Sequence, residues 1–157
     1  MLKLKIFLSL FLLITFYACD KLDDRELLVK NNSDKTVYSI ISENDSMYSS
    51  GFYYEYQEGF DENKKGDYDA PFIFQKIRKG ETAANHDRPR YWDNYFNRLE
   101  DKQARLFIIQ KDSVDKYGWK TIFKKNSYSK KYLITIKQLD SLNWTIEYNG
   151  KQQTYKG

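Results

Sequence analysis

The chain has one cysteine, one histidine and two prolines among its 157 residues. Each scarcity excludes something. A lone cysteine, Cys19, cannot close a disulfide within the chain, so a core must come from packing alone. A lone histidine, His86, leaves no conventional Ser/His/Asp or Cys/His constellation, and it lies in the polar run Asn85-His86-Asp87-Arg88, where a solvated loop residue is expected. There is no HExxH pair, no glycine-rich phosphate loop and no cysteine spacing for zinc. The acidic run from Asp61 to Asp69 places Asp61, Asn63 and Gly66 at calcium-loop offsets. Lys65, however, stands where an oxygen ligand belongs, and Phe72 stands where the bidentate glutamate should close the site. The sequence therefore points to no metal, no cofactor and no catalytic residue, and the expectation is that the protein is not an enzyme.

Charge of one sign is scarce as well. Twenty-six basic residues face 22 acidic ones. Without residues 1–18, which hold Lys3 and Lys5, the balance falls to +2. No concentrated basic stripe stands out, so a nucleic-acid partner is not expected. Lys124, Lys125, Lys130 and Lys131 read as the charged end of a helix and the turn after it. Aromatics, by contrast, are plentiful: 14 tyrosines, 10 phenylalanines and 3 tryptophans are enough to fill a core.

The N-terminus has the layout of a secretory leader. Lys3 and Lys5 precede the apolar run Ile6–Tyr17, which is too short to span a bilayer and is followed at once by charge. Phe16-Tyr17-Ala18-Cys19 resembles the bacterial lipobox in its loose Bacteroidetes form. The resemblance implies cleavage before Cys19, which would then carry a diacylglyceryl thioether and an N-acyl chain such as palmitate. Several acyl chains hold a domain to a membrane where one does not. Lys21 with Asp23 and Asp24 is similar to the export signal that follows the lipidated cysteine in surface lipoproteins of that phylum. The same residues also read as a charged, extended tether. The expected organisation is a signal peptide over 1–18, a lipidated Cys19 with a charged tether over 19–26, and one globular domain over 27–157.

Within that domain, Leu27–Lys30 and Val37–Ser42 read as strands around the turn Asn31-Asn32-Ser33-Asp34, an opening hairpin. Gly51–Tyr56, Phe72–Ile77, Leu106–Gln110, Tyr132–Ile136 and Trp144–Tyr148 read as further strands. Residues 82–90 read as irregular. Trp92, Tyr95, Phe96 and Leu99 recur at helical spacing. Asp112-Ser113 reads as the cap of a helix over Val114–Lys125 with Val114, Tyr117, Ile122 and Phe123 inward. Thr135 with Gln138 reads as a capping box for a short helix carrying Leu139 and Leu142, stopped at Asn143. Asn149-Gly150 predicts a hairpin returning over Lys151–Tyr155. The fold class expected is mainly β: an antiparallel β-sandwich, Ig-like or related, with one or two short helices in the C-terminal half.

Leu106-Phe107-Ile108-Ile109, Tyr117-Gly118-Trp119, Lys131-Tyr132 and Leu139-Asp140-Ser141-Leu142-Asn143-Trp144-Thr145-Ile146 together resemble a family of small Bacteroidetes lipoproteins. The resemblance covers about a third of the chain and implies no activity. Two weaker signals concern partners. Among the aromatics between Tyr48 and Phe60, the alternating set is core, which leaves Tyr48 and Tyr53 as a candidate patch for a glycan or a protein. Asp-Ser-apolar occurs at Asp45-Ser46-Met47, Asp112-Ser113-Val114 and Asp140-Ser141-Leu142. It resembles the O-glycosylation acceptor of exported Bacteroidetes proteins, and Ser46 is the candidate because its loop is polar. The functional expectation is a lipid-anchored outer-membrane protein at the cell surface, acting as a non-enzymatic binding or structural module. The alternative is a glycan-processing hydrolase using loop carboxylates such as Asp67 and Asp69.

Overall fold

A computed structural model describes residues 23–47, 74–85 and 89–150. The leader, Cys19, Lys21, the aromatic run from Tyr48, the acidic run Asp61–Asp69, His86 and the return strand expected over Lys151–Tyr155 lie outside the described residues.

Among the described residues the fold is mainly β, with two sheets packed as a sandwich and four short helices. In chain order the elements are β1 (Leu28–Asn31), β2 (Val37–Ser42), β3 (Gln75–Ile77), β4 (Thr82–Ala84), α1 (Trp92–Arg98), β5 (Ala104–Gln110), α2 (Lys111–Tyr117), α3 (Trp119–Lys124), β6 (Lys130–Ile134), α4 (Ile136–Ser141) and β7 (Thr145–Tyr148). One sheet has the order β4-β1-β7 and the other β3-β2-β5-β6. Every pair is antiparallel except β1 with β7, which is parallel.

The larger sheet is buried on both faces, and its sequence shows why. Along β5, Leu106 and Ile108 face one cluster with Val37 and Ile41 of β2, while Phe107 and Ile109 face another with Tyr38 and Ile40. All four of these β5 side chains are fully buried. A strand with apolar residues on both sides reads as a continuous apolar run, here LFII. Burying each such side chain is worth about 1.5–3 kcal/mol. The first cluster is closed by the smaller sheet (Val29, Ile146, Tyr148), by Trp92, Tyr95 and Phe96 of α1, and by Leu139 of α4. The second is closed by Val114 of α2 and by Trp119, Ile122 and Phe123 of α3.

Four local expectations are corrected. Residues 27–42 do not form a hairpin, because β1 and β2 belong to different sheets. The Asn31 side chain explains the crossing. Its Nδ2 donates to the Lys35 and Ile77 carbonyls at 2.7 and 3.1 Å, and its Oδ1 accepts from Ser33 N and Oγ. This buried amide ties the turn to both layers. Second, Val114–Lys125 is not one helix capped by Asp112 or Ser113. α2 starts directly from β5 at Gln110 without a side-chain cap, and Asp112 pairs with Lys35 instead. Gly118, at φ 76° and ψ 155°, breaks it from α3. That region is open almost only to glycine. The break turns Trp119 inward and leaves Tyr117 half exposed. Third, Leu142 is half exposed rather than core, because α4 ends at Ser141 and the turn carries Leu142 outward. Residues 82–84, expected to be irregular, form β4 against β1.

Candidate functional site

Two polar features stand at opposite ends of the domain. The first gathers the chain as it enters the fold. Asp23 accepts from the Trp92 amide at 3.0 Å, at the N-terminus of α1, where free N–H groups and the helix dipole favour an anion. Its carboxylate also takes a two-pronged bond from Arg25, with Nε at 2.8 Å and Nη2 at 2.7 Å. Arg25 reaches Asp93 as well, and its guanidinium lies 4.9 Å from the Trp144 ring centre. The indole of Trp92 donates to the Arg25 carbonyl at 2.9 Å, and that of Trp144 to Asp140 at 3.0 Å. The Arg25 guanidinium beside it, with the Trp92 amide, holds the Asp23 carboxyl well below the usual carboxylate range. Asp23 raises the Arg25 value in return, helped by Asp93.

This clasp corrects the expected tether. A charged run that self-repels would extend into water through residue 26, but Asp23 is 8 % exposed and bonded at both oxygens. The solvated tether expected over 19–26 therefore does not include Asp23. Of the export-signal candidates, Asp23 is committed to the fold, Asp24 is exposed, and Lys21 lies outside the described residues.

The second feature is a cleft of about 100 Å³ where α2, α3 and the start of β6 meet. The hydroxyl-bearing Ser113, Tyr117, Ser127, Tyr128 and Ser129 line it together with Ile109 and Ile122. Ser129 Oγ accepts from the Gln110 amide at 3.1 Å, which fixes the wall where β5 turns into α2. Tyr117 is at the rim because Gly118 ends α2 there, and the Lys116 ammonium lies 4.9 Å from its ring centre. The topology sets the cleft far from the clasp. β1 and β7 run parallel, so Arg25, Leu27 and Trp144 share one end, where Leu28 N donates to the Trp144 carbonyl at 2.8 Å. At the other end Gln110 Nε2 donates to the Tyr148 hydroxyl at 3.1 Å, and Lys111 N to the Thr36 carbonyl at 2.9 Å. The cleft sits at that second end, and β5 between the two spans about 20 Å.

A third polar group has a structural reading. Asp45 accepts from Arg105 at 3.1 Å and from Lys131 at 2.9 Å. Lys131 first, and then Arg105, hold its carboxyl below the ordinary range. With Met47 buried in the second cluster, these bonds pin the loop that carries Ser46 to the sheet. Ser46 is only partly exposed, and Ser141, at the end of α4, is more open than the favoured candidate. Tyr132, whose hydroxyl donates to the Glu147 carbonyl at 3.0 Å, is pushed up to about 12 by burial and by Tyr148 beside it.

Sequence reasoning missed the cleft because its signal is a glycine: Tyr117-Gly118 reads as helix interior until the positive φ is seen. Tyr48 and Tyr53 lie outside the described residues. Among the described residues no group of carboxylates, histidines or cysteines could hold a metal ion, and no helix is long and apolar enough to cross a membrane. Comparison with protein-family models, with curated proteins and with solved structures finds no match.

Proposed function

We propose that this chain is an exported lipoprotein held at the outer membrane by acyl chains on Cys19 and displayed at the cell surface, and that its domain is a non-enzymatic binding or structural module. The observation that supports the reading best is the clasp. Asp23 is fixed in the fold only four residues after Cys19, and four residues reach at most about 14 Å. An anchor at Cys19 would hold the clasp end against the bilayer and turn the cleft away from it. A module that meets a partner outside the membrane needs that arrangement. The charged leader end, the apolar run and Ala18-Cys19 support the anchor on independent grounds.

The test is Cys19→Ala in cells. The wild-type protein is expected in the membrane fraction with its mature N-terminus at residue 19. The variant is expected either soluble or with its leader uncut. Membrane fractionation unchanged by the substitution overturns the anchor. Protease shaving of the same whole cells reads display: a wild-type protein that resists shaving until the outer membrane is opened overturns the surface location and leaves the anchor standing.

A further inference from the structure

We infer that the cleft between α2, α3 and β6 binds an acidic sugar unit of a polyanionic glycan; the inference rests on the reading of the domain as a binding module. Two independent observations carry it. The first is the lining. Ser113, Tyr117 and Ser127 line the cleft, and no hydrogen bond within the described residues occupies the side-chain oxygens of these three. Hydroxyls that both donate and accept, set over an apolar floor and beside a half-exposed tyrosine ring, match the alternating polar edges and apolar faces of a sugar.

The second is charge. Residues 111–131 carry seven lysines against two aspartates, a net +5, while the chain after residue 18 totals +2. This layer is therefore strongly positive, and everything outside it sums to −3. Its acids are already used: Asp112 pairs with Lys35 and Asp115 with Lys111. Lys131 is used as well, by Asp45. Lys116, Lys124, Lys125 and Lys130 have no ion pair among the described residues. Of these, Lys116 stands at the cleft, its ammonium 4.9 Å from the Tyr117 ring centre, while Lys130 pairs with Ile108 and lies beside Tyr132 on the other face of the sheet. A lysine at the rim of such a cleft, without a carboxylate of its own and within a positive layer, favours an anion on the ligand. A neutral sugar would leave it unused. A nucleic acid would want a long basic track, whereas this cleft is short and opens at one end of the domain.

The test is titration of the full chain, in detergent where it is membrane-bound, with tetragalacturonate, with neutral cellotetraose, with inorganic sulfate and with a single-stranded DNA of equal charge. The acidic tetrasaccharide is expected to bind at least about tenfold more tightly than each of the other three, and to weaken with added salt. Tyr117→Ala and Lys116→Ala are each expected to weaken it about tenfold, while Leu142→Ala at the opposite end leaves it unchanged. All these side chains are on the surface, so unchanged melting confirms that the fold is intact. The inference is overturned if cellotetraose binds as well as tetragalacturonate, if sulfate or DNA matches it, if the cleft variants bind like wild type, or if nothing binds at about 10 mM. Fractionation of the same preparation reports separately on the anchor, so a missing lipid and a missing ligand give different results.

Discussion

Replacing Asp23 with alanine removes two things at once. It removes the acceptor at the start of α1, a loss typically worth about 1 kcal/mol. It also removes the carboxylate that Arg25 grips with two nitrogens, and a hydrogen bond to a charged group is worth about 1.5–3 kcal/mol. Arg25 is 28 % exposed and keeps Asp93, so part of the second loss is recovered. The net expectation is about 2–3 kcal/mol. For a chain of this size that corresponds to a fall in melting temperature of about 5–10 °C. Asp23→Asn separates the two effects, since an asparagine still caps while the charge is gone, and about half the loss is expected.

Acid adds a second readout. The folded Asp23 carboxyl titrates below its ordinary value of 3.8. Between the two values the unfolded chain binds the proton and the folded one does not, so stability rises with pH there. The contribution is fully present above the unfolded value and is lost as pH falls through the folded one. Wild type should therefore destabilise more steeply than Asp23→Asn on acidification below about pH 4. Thermal melts by circular dichroism from neutral pH downward measure both effects. A melting temperature for Asp23→Ala within about 1 °C of wild type, with parallel acid limbs, would mean that Asp23 belongs to a solvated tether after all.

Two further stability outcomes test the packing. Trp144 is 8 % exposed and packs against Trp92 with ring centres 5.0 Å apart and planes tilted by 55°. Trp144→Ala should cost about 3–5 kcal/mol, while Leu142→Ala, two residues away and half exposed, should change stability by less than about 0.5 kcal/mol; urea midpoints of the pair that coincide would refute the β7 register. Gly118→Ala should cost about 1–3 kcal/mol through backbone strain and should weaken the cleft, because α2 and α3 would be pressed toward one continuous helix; a neutral or stabilised variant in chemical denaturation would show that the break is not held by the glycine.

The parts legible in the sequence are those decided by neighbours along the chain. The capping box is one: Thr135 Oγ1 accepts from Gln138 N and the Gln138 side chain accepts from Thr135 N, as the spacing predicts. The left-handed Asn143, the alternation of Ile146 and Tyr148, and the helical recurrence of Trp92, Tyr95 and Phe96 are others. The parts that were not legible are decided by partners far away in sequence. β4 is three small residues, Thr-Ala-Ala, with no strand signal of its own; it forms because β1 offers a free edge to pair with. Asp112 has the chemistry of a helix cap, yet Lys35, distant in sequence, takes it. The clasp follows the same rule. Asp23-Asp24-Arg25-Glu26 alternates charge as a solvated tether does, and nothing local distinguishes Asp23 from Asp24. What selects Asp23 is the amide of Trp92 at the start of α1, while the parallel run of β7 beside β1 delivers Trp144 to Arg25. A single parallel pairing among otherwise antiparallel ones thus helps decide which residues gather where the described chain enters the fold. On the proposed reading, with so few residues between Cys19 and Asp23, it also decides which end of the domain a lipid anchor would hold against the membrane.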